Sequence, residues 1–547
     1  MAAMDMGTAM SSNTQRRFCG IAKFGIDYAI RLVNTTNLLA RPTAITLALF
    51  AALNVWTQHA NAQLADIGAT SRNVVIIPRV SISESYTDNV DLSSTARRAE
   101  FTTQISPGIS IVSNGGRLRG SLDYALTQVL YARNSEKNEL QNSLSAAGSY
   151  EAIDNWAFVD FSSSISQQSI SAFGPQSVDN TSISSNRTEV SNYQLSPYVR
   201  GQLANFATYE ARYRLSATRS GSELASNVQT NEALVKLSGD RSLGRLSWSA
   251  DATRQEVDYS AGRPTTSDRV TGRLIYTVGP QLDAIFISGR ESNNYVTLEK
   301  ESHGSTGLGV NWRPSDVTRV SGEFERRYFG DTHTLTVEHR TPRTAWTYSD
   351  SKSVQSSTSP TTLTSLGGLY DLLFAQFATL EPDAIKRAQL VRSFLQVNGL
   401  DPNTSVVGAY SRSTLSLQRS QILSFAILGI RDTITFTAAR STGQLLGTGA
   451  VASSDFANTS VIRQNGLTMS YSHRLTPDSS VNFLVSQQKS AGESQMLQTR
   501  LRTFNLSLST KLSRKMYGSF GARHTISDGN SSPYRENALT GSINFQF

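Results

Sequence analysis

Apolar and polar residues alternate along most of this chain, and a period of two leaves little for it to build except β-strands. Over 117–127 the apolar set is Leu118, Gly120, Leu122, Tyr124 and Leu126, against Arg117, Arg119, Ser121 and Asp123. Over 207–216, Ala207, Tyr209, Ala211, Tyr213 and Leu215 oppose Thr208, Glu210, Arg212 and Arg214. The same spacing joins Leu246, Trp248, Ala250 and Ala252; Val320, Gly322, Phe324 and Tyr328; and Leu335 and Val337. Further on it joins Ile434 and Phe436; Leu467, Met469 and Tyr471; Val481, Phe483 and Val485; and Phe504, Leu506 and Leu508. Strands of soluble sandwiches alternate too, but usually run about five or six residues. These run about ten or more, often with an aromatic near one end, which suits a tilted membrane span with aromatic girdles.

Composition narrows the choice. Hydrophobic residues make up 38% of the chain, so a thick conventional core is hard to build, while 19 Tyr and 22 Phe argue against disorder. Residues 1–62 read as a leader. Arg16, Arg17, Lys23, Arg31 and Arg41 are basic, 43–56 is an apolar run, and Ala60-Asn61-Ala62 is a small-x-small cleavage site before Gln63. A leader of this length also fits a start codon downstream of Met1. Its removal takes away five basic residues and two acidic ones, Asp5 and Asp27, and brings the net charge from +8 to +5. The remaining cations are scattered at alternate strand positions, which gives nucleic-acid binding no stripe to use. The only cysteine, Cys19, lies in the leader ahead of the apolar run, so disulfides and thiolate metal sites are excluded from the mature chain, as is a lipoprotein reading of that cysteine. After Trp56 no run of about 18 apolar residues occurs, so any membrane crossing must be made by strands.

Loop lengths give an independent test, because outer-membrane barrels have short periplasmic turns and longer external loops. Short connections fall near Asp154, Leu203, Leu243, Pro280, Pro314, Arg431, Pro477 and Lys511. Long ones fall at 170–187, 219–227, 258–266, 292–303, 441–462 and 527–534, and the two kinds alternate. The pattern predicts an all-β fold: a large antiparallel transmembrane β-barrel of 18 to 22 strands. The count is 22 if the chain folds back at Thr341-Pro342-Arg343. The expected organisation is leader 1–62, a short periplasmic segment 63–73 and a barrel 74–547.

One segment breaks the period. Leu366, Leu369, Tyr370, Leu373 and Phe377 have helical spacing, and a second helix fits Pro382 in its first turn, Ile385, Ala388, Val391 and Leu395 on one face, and Asn398-Gly399 as its stop. This reads as an α-helical hairpin inserted at 355–403 in one loop. It is either an external cap or a constriction folded into the lumen, in which case Leu369, Tyr370, Leu373, Phe377, Arg387 and Arg392 are the gate candidates.

The last strand, 535–547, places Leu539, Gly541, Ile543, Phe545 and Phe547 on one face and ends on Phe. Such an end resembles the closing strand of bacterial outer-membrane barrels, whose insertion machinery reads it; Gly541, Ile543, Phe545 and Phe547 are the expected assembly signal. A wider likeness rests on Pro78-Arg79-Val80-Ser81-Ile82-Ser83-Glu84-Ser85-Tyr86-Thr87-Asp88-Asn89-Val90 and on Ser106-Pro107-Gly108-Ile109. With the Arg340-Thr341-Pro342-Arg343-Thr344 turn, the helical insertion and the Phe terminus, these resemble the outer-membrane proteins that accompany exosortase (PEP-CTERM) and exopolysaccharide systems. The resemblance implies a Gram-negative outer-membrane barrel linked to polysaccharide or surface-protein export. It carries no catalytic residues to transfer. The implied partners are the outer-membrane bilayer, the barrel-insertion machinery, and polysaccharide or periplasmic export components.

No motif for an enzyme, a cofactor or a metal stands out. The histidines His59, His303, His333, His339, His473 and His524 have no metal spacing, although His333 and His339 flank Glu338. G-x-S-x-G, the P-loop and the dinucleotide fingerprint are absent. If the apolar set faces lipid, Arg117, Arg119, Asp123, Glu210, Arg212, Arg214 and Arg273 line the lumen. Arg319, Glu323, Glu325, Arg327, Glu338 and Arg340 join them, since Arg at the bilayer midplane costs about 2–4 kcal/mol. They form a ladder that stiffens the wall, a polar track for anionic solute or glycan, or both. The leading expectation is a passive or gated channel for exopolysaccharide or surface export. The other is a non-conducting barrel that binds polymer or a periplasmic complex. A plugged import receptor needs a globular plug ahead of the barrel, and 63–73 has no room for one; an autotransporter needs a passenger domain.

Overall fold

A computed structural model describes residues 74–204, 206–222, 225–355, 374, 387, 388, 390, 391, 414–447, 455–529 and 533–547. The strands in chain order are β1 (Val74–Thr87), β2 (Glu100–Asn114), β3 (Leu118–Tyr131), β4 (Glu139–Ile153), β5 (Ala157–Ser169), β6 (Arg187–Leu203), β7 (Ala207–Ser220) and β8 (Val228–Leu243). Next come β9 (Leu246–Tyr259), β10 (Thr265–Gly279), β11 (Leu282–Asn293), β12 (Glu301–Ser315), β13 (Thr318–Arg327), β14 (Gly330–Arg340) and β15 (Thr344–Gln355). The last are β16 (Ser416–Leu428), β17 (Asp432–Leu445), β18 (Val461–Thr476), β19 (Ser479–Ala491), β20 (Gln498–Ser513), β21 (Met516–Gly529) and β22 (Tyr534–Gln546). Each pairs antiparallel with the next, and β22 pairs with β1. The result is one closed 22-stranded up-and-down barrel.

Closure is made by Arg79 to Thr87 opposite Gln546 to Ala538, and is extended at both ends by backbone bonds. The Phe547 N–H donates to the Pro78 carbonyl at 3.0 Å, and the Asp88 N–H donates to the Asn537 carbonyl at 3.1 Å. Closing the sheet removes both edges, so no strand is left with a row of unpaired amides.

The register also fixes the faces. On β22, Leu539, Ile543 and Phe547 are exposed, 43–47% of each, whereas Tyr534, Glu536 and Ala538 at the opposite parity are buried. Leu467, Phe483, Phe504, Leu506, Leu508 and Phe520 lie on the same outer surface and are exposed too. From Leu539 to Phe547 the belt runs about 27 Å along the strand, or roughly 20 Å in height at a tilt of about 40°, close to the apolar band of outer-membrane barrels. Trp156, Trp248, Trp312 and Trp346, the four tryptophans after Trp56, all lie at the short-turn end of the barrel. That is an interfacial girdle. At Gly148 and Gly239 the cross-strand aromatics Phe161 and Trp248 lie so close that a Cβ would collide with the ring. The ring covers the backbone that the glycine leaves bare.

At one end the connections are all two or three residues: 115–117, 154–156, 204–206, 244–245, 280–281, 316–317, 341–343, 429–431, 477–478 and 514–515. The tight reversals at Asn155, Ala204 and Gly244 use positive φ of 56°, 49° and 74°. The other end carries the long loops, with 328–329 as its short exception. Tyr328 therefore lies in a turn and leaves the outward set expected for it; its hydroxyl donates to Asn293. The segment expected to form the helical hairpin falls in the 356–415 connection at the long-loop end, and most of it, including Leu369, Tyr370, Leu373, Phe377 and Arg392, lies outside the described residues. Those described there, Phe374, Arg387, Ala388, Leu390 and Val391, are helical, and the Arg387 guanidinium sits 4.2 Å over the Phe374 ring. Among the described residues no helix is long and apolar enough to cross a membrane.

A charge placed on the outer belt should be far more damaging than the same charge one residue along. Leu506→Arg is expected to lose about 2–4 kcal/mol of folding free energy, and Ser507→Arg, on the lumen face, less than half of that. Urea unfolding in lipid vesicles reads both. Deleting Phe547 removes the bond to Pro78 and an outward aromatic, so it should lower the heat-modifiable, assembled fraction much more than replacing Ser531 does.

Candidate functional site

The inner wall has two chemically different halves. From β1 to β13 it carries charges, mostly already paired. Arg79 forks onto both Asp123 oxygens at 2.6 and 2.7 Å, Arg212 reaches Asp160 at 2.8 Å and Glu210 at 2.9 Å, and Arg214 reaches Glu232 at 2.8 Å. Arg269 meets Glu325 at 2.5 Å, and Arg327 meets Glu291, which is fully buried. Arg273 meets Asp251 and lies 3.8 Å from Glu323. Arg212 also stacks 3.9 Å over the Tyr198 ring. Most of the charged residues expected in the lumen are thus brought together in cross-strand pairs.

Others lie at the rim. Arg117 falls in the 115–117 turn, not on a strand, and makes an exposed pair with Asp154 at 2.9 Å, because the chain is already reversing there. Arg119 is at the short-turn end of β3, and Arg319 and Glu338 are register partners at the same end of β13 and β14. Arg340 ends β14 at that rim, where its N–H donates to the Val317 carbonyl. His333 and His339 share one face of β14 while Glu338 takes the other. His333 goes to Asp350 at 3.0 Å and His339 to the Thr318 hydroxyl at 2.8 Å. Among the described residues no acidic, histidine or cysteine group is arranged to hold a metal.

From β16 to β20 the inner positions are mostly hydroxyls and amides, Ser420, Thr435, Thr437, Gln464, Thr468, Asn482, Ser486, Gln488, Thr503 and Ser509, with Ile422, Ile462, Leu484 and Leu501 among them. These polar residues are all buried, over the full height of the strands.

The loop 170–186, between β5 and β6, turns inward across the mouth at the long-loop end. Asn186 ties its two ends, accepting from the Ser171 N–H at 2.8 Å and donating to the Ser171 and Pro175 carbonyls at 3.0 and 3.1 Å. Three apolar anchors then hold it to the wall. Ala172 and Phe173 pack with Phe456 and Ile462; Val178 packs with Leu92, Leu501 and Tyr534; Ile183 packs against Val90, Val129 and Tyr131. Polar contacts extend this grip to β3 (Tyr131 hydroxyl to the Thr181 carbonyl, 3.0 Å), β4 (Gln141 to the Asn180 carbonyl, 2.9 Å) and β20 (Thr499 hydroxyl to the Phe173 carbonyl, 3.2 Å). The loop therefore follows the inner wall from β4 back through β1 to β18, nearly half of the circumference.

Its centre is a buried charge cluster. Arg523 on β21 reaches Asp179 of the loop at 2.6 Å and Glu536 on β22 at 3.0 Å, and the Thr87 hydroxyl donates to Glu536 at 2.8 Å. Burial alone would raise the Asp179 carboxyl, but the Arg523 guanidinium and the Thr181 N–H and hydroxyl outweigh it and hold it down at about 2. Asp455 behaves oppositely: burial pushes it up, although Ser171 and the Ala172 N–H donate to it at 2.6 and 2.7 Å. Sequence reasoning placed 170–187 among the external loops and missed Asp179, Arg523 and Glu536. The available signal was Ala172-Phe173, Val178 and Ile183, apolar residues that an external loop would leave in water.

No family model matches the chain, and no curated protein matches it. Among solved structures, the siderophore receptor PirA from Acinetobacter baumannii aligns at 10% identity with a TM-score of 0.45, over 86% of this chain and 80% of that one. The ferric-catecholate import receptor Fiu from E. coli K12, in its open form, aligns at 7% identity with a TM-score of 0.46, over 86% and 81%. BauA, the ferric preacinetobactin receptor from Acinetobacter baumannii, aligns at 12% identity with a TM-score of 0.43, over 86% and 80%. At such identities and TM-scores the barrel is established by its own register and its two faces, not by these likenesses.

Replacing Arg523 by Leu leaves Asp179 and Glu536 facing each other in a buried place, a change worth about 3–5 kcal/mol against the docked loop. Protease cleavage within 170–186 should rise at least tenfold, while Asp179→Asn should produce a smaller rise. Undiminished protection in both variants would mean that the apolar anchors hold the loop unaided. Because the folded Asp179 pKa is depressed, its contribution is complete above the ordinary carboxylate value of 3.8 and is lost as pH falls through about 2. Hydrogen exchange at the Thr181 amide, which donates to Asp179, should show constant protection down to about pH 4 and lose it only below.

Proposed function

We propose that this chain is an outer-membrane channel whose mouth is narrowed by the 170–186 loop. The observation that carries the reading is a closed barrel with an apolar outer belt and a polar interior. Such an object is stable only with hydrocarbon outside and water or polar chain inside. The loop acts as the constriction. It is held by contacts that a modest change can release, namely three small apolar anchors and one charge cluster, so the wall need not move when the mouth widens.

The cargo that fits best is a neutral or weakly anionic polysaccharide. Paired charges on β1–β13 leave little net field, and the hydroxyls and amides of β16–β20 can exchange hydrogen bonds with a polyhydroxyl chain at small cost. The resemblance to outer-membrane proteins of exosortase and exopolysaccharide systems points the same way, and periplasmic export components are the partners it implies. The helical insertion at 355–403 is proposed as a second gate at the same end.

The second reading is a non-conducting barrel that serves as a polymer-binding or assembly partner, and one observation favours it. The β16–β20 inner wall, including Thr437, Asn482 and Thr503, is buried along its height, which suits a surface already occupied better than an open conduit.

Single-channel recording of the chain purified from outer membranes separates the two. Discrete conductance steps are expected, with a several-fold rise on deleting 356–413 and a further rise in Arg523→Leu. Neutral polysaccharide added at the mouth should block them. Silence in the wild type and in both variants would overturn the channel reading in favour of the assembly partner.

A further inference from the structure

The outer surface above the apolar belt is not uniform. On the β9–β11 arc Arg254 is matched by Glu256 at 2.7 Å and by Asp268 at 3.8 Å, and Lys300 is matched by Asp268 at 2.7 Å, while Arg290 donates to the Ser302 hydroxyl at 2.9 Å. The β17–β22 arc is different. Arg440, Arg463, Lys489, Arg500, Arg502 and Arg535 all project outward there, at the parity of the lipid-facing Leu467, Phe504 and Leu539. Two acids accompany them: Asp528 takes Arg502, and Glu493, which accepts from the Ser460 N–H and hydroxyl, lies near Arg463. Arg440, Lys489, Arg500 and Arg535 have no ion-pair partner among the described residues.

The register makes this costly. Lys489 and Arg500 are direct cross-strand partners, Arg440 is joined to Lys489 through Asn465 in the same row, and the row ends on Asp528, which lies opposite Arg500 but is engaged by Arg502. Like charges directly opposite each other on a sheet are destabilising. A chain that keeps such a row just above a hydrocarbon belt has a counter-anion available there. It must be fixed at that height and must also present acyl chain to Leu467 and Phe504 below.

We infer that the β17–β22 arc is a docking surface for the phosphorylated glycolipid of the outer leaflet, with its phosphates on Lys489, Arg500, Arg535 and Arg440 and its acyl chains on the belt. Charge complementarity favours this occupant. An inner-leaflet phospholipid would lie at the tryptophan girdle on the opposite side of the belt, away from the cations. The arc includes β20–β22, the strands that carry Leu501, Arg523 and Tyr534 on their inner faces, so the lipid would brace from outside the wall on which the 170–186 loop is latched. The inference rests on the outer-membrane reading.

The test uses the full mature chain in detergent and titrates bisphosphorylated lipid A, its dephosphorylated form, and phosphatidylglycerol vesicles. Bisphosphorylated lipid A should bind at least tenfold more tightly than either of the others. The combined K489Q, R500Q and R535Q variant should lose at least tenfold of that affinity, and R254Q with K300Q less than twofold. Heat-modifiable mobility checks that each variant is folded; if the triple variant fails it, R500Q alone should lose severalfold. Equal binding of phosphorylated and dephosphorylated lipid A, equal binding of phosphatidylglycerol, or an unaffected folded patch variant would each overturn the assignment. Membrane fractionation separates the two failures. A chain found in the outer membrane that ignores the phosphates refutes only the docking surface, whereas a chain found elsewhere refutes the outer-membrane reading as well.

Discussion

A backbone amide inside hydrocarbon has no water to bond, and the architecture follows from that requirement. A sheet satisfies it only by having no edge, so the seam between β1 and β22 is the contact on which the other pairings depend. The seam places the last residue in a structural role, since the Phe547 amide completes the ladder to Pro78. It also sets both faces at once. With side chains alternating at a period of two, a slip of one residue at closure would send Glu536 into lipid and Leu539 into the lumen.

Once the faces are set, the interior has to be stabilised by polar groups. The charged half of the wall does so by cross-strand pairing, in which a guanidinium reaches a carboxylate one to three strands away, as Arg79 does with Asp123 and Arg269 with Glu325. Such pairs stiffen the wall of a wide barrel. They also mean that most of the inward arginines are engaged by carboxylates, so they form a scaffold more than an anion track. The uncharged half has no comparable bracing, and it is the half against which the external glycolipid is proposed to lean.

The 170–186 loop links the interior to a function. Its apolar anchors and its one buried carboxylate lie far apart in sequence from their receptors: Asp179 from Arg523, Phe173 from Phe456, Val178 from Tyr534. Release of the Asp179 contact leaves the strands paired, because Arg523 still faces Glu536. That separation between a rigid wall and a detachable loop is what a mouth constriction requires.

Much of this was written in the chain itself. The period of two and the sorting of short and long connections specified a large barrel and its outward apolar set, because each of these is a local pattern repeated strand after strand. The reversal at Thr341-Pro342-Arg343, which raised the count to 22, was equally local. What the sequence could not supply was any choice that depends on which strands meet across the barrel. It gave inward arginines and carboxylates without their pairings, a polar external loop without its inward turn, and outward cations without the register that puts Lys489 beside Arg500. Arg117 and Tyr328 were misplaced because alternation continues for a residue or two into a turn. Tertiary structure decided these points, since the partners are brought together by the curvature and closure of the sheet, and no window of neighbouring residues contains that information.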